Sequence, residues 1–211
     1  MVLRSSALIL ALCAAACGPN RIRILVPPRL DLKTYGRLGL VTFTVENAKG
    51  SLPQLVTDRF EEEALTAQPG IEIFELGPAD SALDAARAQQ IGKERGVAAV
   101  FAGHLRVSNP QASGGIAAGG GVLGLVTPHV DQTVRLDLSV RLVSTQSGGT
   151  VWRQGAWATE KVSEVSFTGA ELIFTAKDPK AAYGSLVNRL VDLVGEDLWS
   201  RWEWQTVTQT R

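Results

Sequence analysis

Val134-Arg135-Leu136-Asp137-Leu138-Ser139-Val140-Arg141-Leu142 alternates apolar and polar residues without a break. Successive side chains of a strand point to opposite faces, so this run predicts a strand with one covered face and one wet face. Downstream, Gln146 to Gly149 reads as a turn, and Val151 to Thr159 returns as the partner strand of a hairpin. Trp152 and Trp157 have opposite parity on that strand, so one faces the core and the other the outside or a neighbour. Upstream, Val97 to Val107 is a buried strand. Gly96 before it is the stop of a helix that begins at a cap on Asp80 or Ser81 and runs to about Arg95. Ile71 to Leu76 makes a short strand. Before it, Pro69-Gly70 ends a helix with Ser51 as its N-cap and Pro53 in its first turn. Leu52, Val56, Phe60 and Ala64 recur there at helical spacing, and Glu61, Glu62 and Glu63 form a solvated face. Arg37 to Val45 reads as one central strand. Pro179 opens a long final helix with Tyr183, Val187, Leu190, Val194, Leu198 and Trp202 along its apolar stripe. The order strand, helix, strand, helix, strand, hairpin, helix predicts an α/β fold. Its form is a three-layer-like α/β sandwich, a mixed sheet with helices packed on it and a long C-terminal helix.

The start of the chain reads differently. Arg4, the apolar run Ala7 to Leu12 and the small residues Ala14-Ala15-Ala16 before Cys17 have the form of a lipoprotein signal peptide, residues 1–16. The run is too short to span a bilayer. Cys17 would be acylated and become the first residue of the mature chain, resembling the bacterial lipobox, with Ala14 where Leu is usual. A secretory signal cut before another residue is the competing reading. Cys13 leaves with the signal, so no intramolecular disulfide is available and the core must hold the fold. From Gly18 to Lys33 three prolines and no sustained period predict a tether, so residues 17–34 are the lipidated cysteine with its flexible tether and 35–205 the periplasmic α/β domain. Composition fits a folded body: 45% hydrophobic and 20% charged residues are enough to build a core and solvate its surface. Net charge is zero, which leaves no electrostatic footprint for nucleic acid.

Three segments together resemble a family of outer-membrane lipoproteins. They are Leu38-Gly39-Leu40-Val41-Thr42-Phe43 with the Leu52 to Leu65 helix, the passage Ile91-Gly92-Lys93-Glu94-Arg95-Gly96-Val97 through Gly103, and Leu142 through Gly148-Gly149-Thr150-Val151-Trp152. The family includes the curli-secretion channel (CsgG), the Pel polysaccharide-export lipoprotein (PelC) and the activator lipoprotein of penicillin-binding proteins (LpoB). The resemblance implies an α/β sandwich that acts by assembly or contact, without chemistry of its own. It implies a lipid-anchored protein on the periplasmic side of the outer membrane. Its role would be that of an oligomeric accessory or scaffold in envelope export or assembly, of polysaccharide or protein. A monomeric activator of a periplasmic cell-wall enzyme and a pore-forming channel subunit are the other roles that the resemblance offers. The partners expected are the membrane, through the N-terminal lipid, further copies of the chain and an unidentified envelope protein. Gly18, where the enterobacterial sorting rule would place Asp to retain a lipoprotein in the inner membrane, resembles the outer-membrane pattern.

Two stretches depart from a compact version of that pattern. Residues 111–128 form an uncharged, glycine-rich loop with Leu123 and Leu125, and Val162 to Thr175 interrupts with Val165 and Phe167. A membrane-spanning strand needs about nine to eleven alternating residues, and neither stretch supplies them. Leu123, Leu125, Val165 and Phe167, together with Trp157, Trp199 and Trp204, are the candidate residues for contact with a partner or membrane. Core packing and interface contact both suit the tryptophans, because indole joins an apolar body to one donor.

No catalytic constellation is legible. Gly119, Gly121 and Gly124 satisfy Gly-x-Gly-x-x-Gly, but no helix opens after them and Pro128 closes the segment, so a dinucleotide site is excluded. His104 and His129 are the only histidines. His104 reads as a hydrogen-bonded sheet residue, and His129 beside Asp131 offers two ligands where a metal site needs three or more. No Gly-x-Ser-x-Gly elbow is present. The expectation is a protein without enzymatic activity, cofactor or metal.

Overall fold

The computed structural model describes residues 21–78, 83–108, 111–115, 129–162, 167–168, 171–174 and 182–206. Two compact units emerge from the chain's contacts. Arg29–Trp199 bounds one, and of the other the described residues are 21–28 and 200–206.

The larger unit is built on a mixed sheet. Its strands are β2 (Arg37–Thr42), β3 (Thr44–Glu46), β5 (Glu72–Pro78), β6 (Ala99–Val107), β7 (Gln111–Gly115), β8 (His129–Ser144) and β9 (Thr150–Val162). β5, β2 and β6 run parallel, and β3 also pairs parallel with β6. β6 and β7 lie antiparallel along one side of β8, and β9 takes its other side as the predicted hairpin. Gln111–Gly115, the start of the glycine-rich segment, is therefore strand and not loop. A second small sheet joins β10 (Phe167–Thr168), β11 (Glu171–Phe174) and β4 (Ala48–Gly50).

Alternation decides the layers. Val134, Leu136, Leu138, Val140 and Leu142 are all buried on one face of β8. They share a core with Phe101, Leu105 and two helices, α1 (Leu52–Ala67) and α3 (Ala182–Gly195). Phe60 of α1 and Leu190 of α3 are fully buried in that layer. On the opposite face Val41, Val100 and Val143 meet Ala88 and Ile91 of α2 (Ala85–Arg95). Helices on both faces of one mixed sheet give the three-layer α/β arrangement expected. The apolar face of the β8–β9 hairpin is occupied by this core, Val134 to Leu142 opposite Trp152, Ala156 and Ala158.

Several local expectations change. Arg37 to Val45 is broken at Phe43, which leaves the ladder and donates its N–H to Thr57 Oγ1 at 2.8 Å. Phe43 then packs on Phe60, with ring centroids 5.3 Å apart. A Cβ on Gly103 would lie 2.3 Å from the Phe43 ring, so the missing side chain makes room for the break. The second helix is capped at Asp84, whose Oδ1 accepts from Arg87 N at 2.7 Å, later than the expected Asp80 or Ser81, which lie outside the described residues. Gly96 does end it in the left-handed region, φ 65°. Ser51 precedes α1 but makes no side-chain cap. Glu63, expected in solvent, is buried. Its carboxylate meets Arg59 at 3.3 Å and accepts from Trp199 Nε1 at 2.6 Å, so a neighbouring helix end has covered that side of α1.

The ends of the chain differ most. Within 18–33, expected to lack regular structure, Arg21–Val26 is strand β1 and Leu30 and Leu32 are buried. The last helix stops at Gly195. A short 3-10 turn, Glu196–Leu198, follows it, then strand β12 (Arg201–Thr206). Trp202 is on that strand and 58% exposed, not on a buried helical stripe. The 3.6-residue spacing is kept through Leu198, and the alternation Arg201-Trp202-Glu203-Trp204 then takes over.

Candidate functional site

Two exposed surfaces carry unusual chemistry. The first is the antiparallel ribbon of β1 and β12, the described part of the smaller unit. Its register places Arg21 opposite Thr206, Arg23 opposite Trp204 and Leu25 opposite Trp202. Period two then puts Arg21, Arg23, Leu25, Trp202 and Trp204 on one face. That face holds two arginines and no acid. The Arg23 guanidinium lies over both indoles, 5.4 Å from the Trp202 ring and 5.8 Å from that of Trp204. Leu25 is 54% exposed and Trp204 66%. The reverse face sets Ile22, Ile24 and Val26 opposite Gln205, Glu203 and Arg201, with Arg201 and Glu203 paired at 2.7 Å.

The second surface is the wet face of the large sheet beyond α2. Cross-strand register aligns Arg106 of β6 with Asp137 of β8, and Asp137 with Trp157 of β9. Asp137 accepts from Arg135 Nη2 at 2.7 Å, and the Arg135 guanidinium covers the Trp157 ring at 4.5 Å. One step along, Thr44 of β3 meets His104 through Oγ1 and Nδ1 at 2.9 Å, and His104 Nε2 lies 3.5 Å from Glu46. His104 is thus hydrogen-bonded in the sheet as expected. Next, Arg141 and Arg153 stand directly opposite each other. They border a groove of about 610 Å³ whose apolar wall includes Val41, Leu83 and Ala102.

The predicted contact residues disperse. Trp204 belongs to the ribbon, and Trp157 is exposed on the sheet face. Trp199 is 40% exposed with its N–H committed to Glu63. Trp152, the other tryptophan of β9, faces the core edge-on to Phe101 and donates to Asp197 at 3.2 Å. Leu123, Leu125 and Val165 lie outside the described residues, and Phe167 is described only as part of β10. The ribbon arginines and the Arg141–Arg153 pair escaped the sequence reading. The period-two runs Arg21 to Leu25 and Arg201 to Trp204 carried the signal for the first, whereas the second depends on a cross-strand register. Among the described residues no group of three or more His, Cys, Asp or Glu is placed to hold a metal. Among them, too, no helix is long and apolar enough to cross a membrane, a statement that leaves strands open.

No protein-family model matches the chain, nor does any curated protein. Solved structures do resemble it. The PelC dodecamer from Paraburkholderia phytofirmans is 10% identical over 85% of this chain and 98% of that one, with a TM-score of 0.45. The LpoB C-terminal domain from Salmonella enterica is 16% identical over 59% and 83%, with a TM-score of 0.36. Lipoprotein GNA1162 from Neisseria meningitidis is 16% identical over 62% and 87%, with a TM-score of 0.33. PelC and LpoB are members of the family that the sequence resembles. At these identities and scores the comparisons carry no argument about activity.

Proposed function

We propose that this protein is a lipid-anchored envelope lipoprotein of the periplasmic side of the outer membrane. It works without chemistry of its own, as a self-associating accessory or scaffold in export or assembly. The observation that supports this reading is the β1–β12 ribbon. A two-stranded ribbon alone in water is marginal, and this one leaves two indoles and Leu25 uncovered beside two unopposed arginines. Indole sits well at the headgroup level of a bilayer, and arginine well against lipid phosphate. β1 begins four residues after Cys17. Four residues reach at most about 14 Å, so a lipid on Cys17 would hold the start of β1 within that distance of the membrane surface. The acyl chains would supply affinity and the ribbon orientation.

Metabolic labelling with a palmitate analogue tests the anchor. Wild-type chain is labelled and pelleted with outer membranes, and Cys17→Ser is neither. Light scattering of the chain from Gly18 onward tests self-association, and a strict monomer at high concentration would sink that part of the reading.

A further inference from the structure

We infer that the groove beside Arg141 and Arg153 binds the oxyanion of an acidic saccharide, either a uronate carboxylate or a sugar phosphate. Like charges placed directly opposite across an antiparallel pair repel, and this fold places Arg141 opposite Arg153. Among the described residues neither arginine makes an ion pair, and the Arg141 guanidinium donates to Leu83 O at 2.6 Å, which leaves further N–H groups for a ligand. Among the described residues, the two carboxylates nearby on this face are already engaged. Asp137 is held by Arg135, and Glu46 lies 3.5 Å from His104 and 3.8 Å from Arg106. Among the described residues, the positive charge bordering the groove is therefore not balanced. Two planar guanidinium forks suit a carboxylate or phosphate, which can accept two parallel hydrogen bonds from each.

The remaining walls say what the anion is attached to. Val41, Leu83 and Ala102 give a small apolar floor. Thr42, Thr44 and Ser139 add hydroxyls that both donate and accept. An apolar floor ringed by hydroxyls matches a pyranose, whose ring carbons present an apolar face and whose edge carries hydroxyls. At about 610 Å³ the groove is within the usual size of a small-ligand site and admits one or two sugar residues.

Titration calorimetry on the full chain in a non-ionic detergent tests this with four probes: trigalacturonate, glucose 1-phosphate, maltotriose and inorganic phosphate. At least one charged saccharide binds, maltotriose does not, and raising the salt weakens the interaction. Binding of trigalacturonate alone assigns the carboxylate source, and binding of glucose 1-phosphate alone the phosphate source. Arg153→Gln, at an exposed position whose loss relieves the repulsion and so should not lower the unfolding midpoint, weakens the affinity about tenfold or more. Arg141→Gln weakens it too, but it also removes the bond to Leu83, so Arg153→Gln carries the decision. The inference is overturned if neither charged saccharide binds, if maltotriose binds as well as they do, if inorganic phosphate binds as tightly as either, or if Arg153→Gln leaves the affinity unchanged.

Discussion

Gly103 shows how one missing side chain shapes this fold. Three ring atoms of Phe43 lie within 2.4 Å of where its Cβ would stand, and that ring is part of a buried aromatic line running through Phe60 and Phe101 to Trp152. Gly103→Ala should therefore destabilise by about 2 kcal/mol, since a packed ring cannot step aside without strain. Urea unfolding measures it, and a change under 0.5 kcal/mol would show that Phe43 has somewhere else to go. Glu61 makes a second residue-scale prediction. Burial, and then the nearby Glu75 and Asp58 carboxylates, push its pKa above the usual carboxylate range. A carboxyl raised in the fold favours folding while it is protonated, and that contribution is lost as pH rises through its folded pKa. Glu61→Gln should accordingly raise the Tm at pH 7 and raise it less at pH 4. An equal or smaller gain at pH 7 than at pH 4 would contradict the assignment. Glu63, two positions on, shows how far adjacent helix residues can differ: it is buried under Trp199 and Arg59 while Glu62 remains in solvent.

Among the elements, β12 departs furthest from what its sequence predicts. Trp202 fits the helical stripe of Val187, Leu190, Val194 and Leu198 by spacing, and also fits an alternating strand with Trp204. Pairing with β1 decides between the two, because both strands carry the same period in compatible register. If the Arg–Trp face of this ribbon meets a bilayer, the double variant Trp202→Ala, Trp204→Ala should bind anionic phosphatidylglycerol vesicles about tenfold more weakly. The comparison uses the chain from Gly18 onward, without lipid, in a flotation assay. Arg21→Gln with Arg23→Gln should flatten the difference between anionic and neutral vesicles. Equal flotation of wild type and both double variants would remove the ribbon from the membrane reading.

At the scale of the molecule, Gln68 holds the larger unit closed where its chain enters and leaves. The buried amide accepts from Leu32 N at 2.8 Å and donates to Leu30 O at 2.6 Å and Leu198 O at 2.9 Å. Gln68→Ala leaves three buried backbone groups unpaired and should cost about 3 kcal/mol. Gln68→Glu should be at least as damaging, since a carboxylate cannot donate to two carbonyls. Unchanged unfolding midpoints for both would show that water replaces the amide without loss. Nothing near Gln68 in the sequence marks it, because its partners are 36, 38 and 130 positions away. By contrast, the sandwich, the α1 stripe, the β8–β9 hairpin and the opposite parity of Trp152 and Trp157 were all legible. Cys17 as an anchor stands apart from these as a proposal from linear sequence alone, the form in which a peptidase would read a signal and its cleavage site. What a segment does alone follows from the spacing of its own side chains, and period two or 3.6 states that spacing directly. Tertiary structure decided which segments meet: the Phe43 break over Gly103, the β1–β12 ribbon and the facing Arg141 and Arg153. Each of these rests on register or contact between residues far apart in the chain, and the free energy that selects them exists only once both partners are in place.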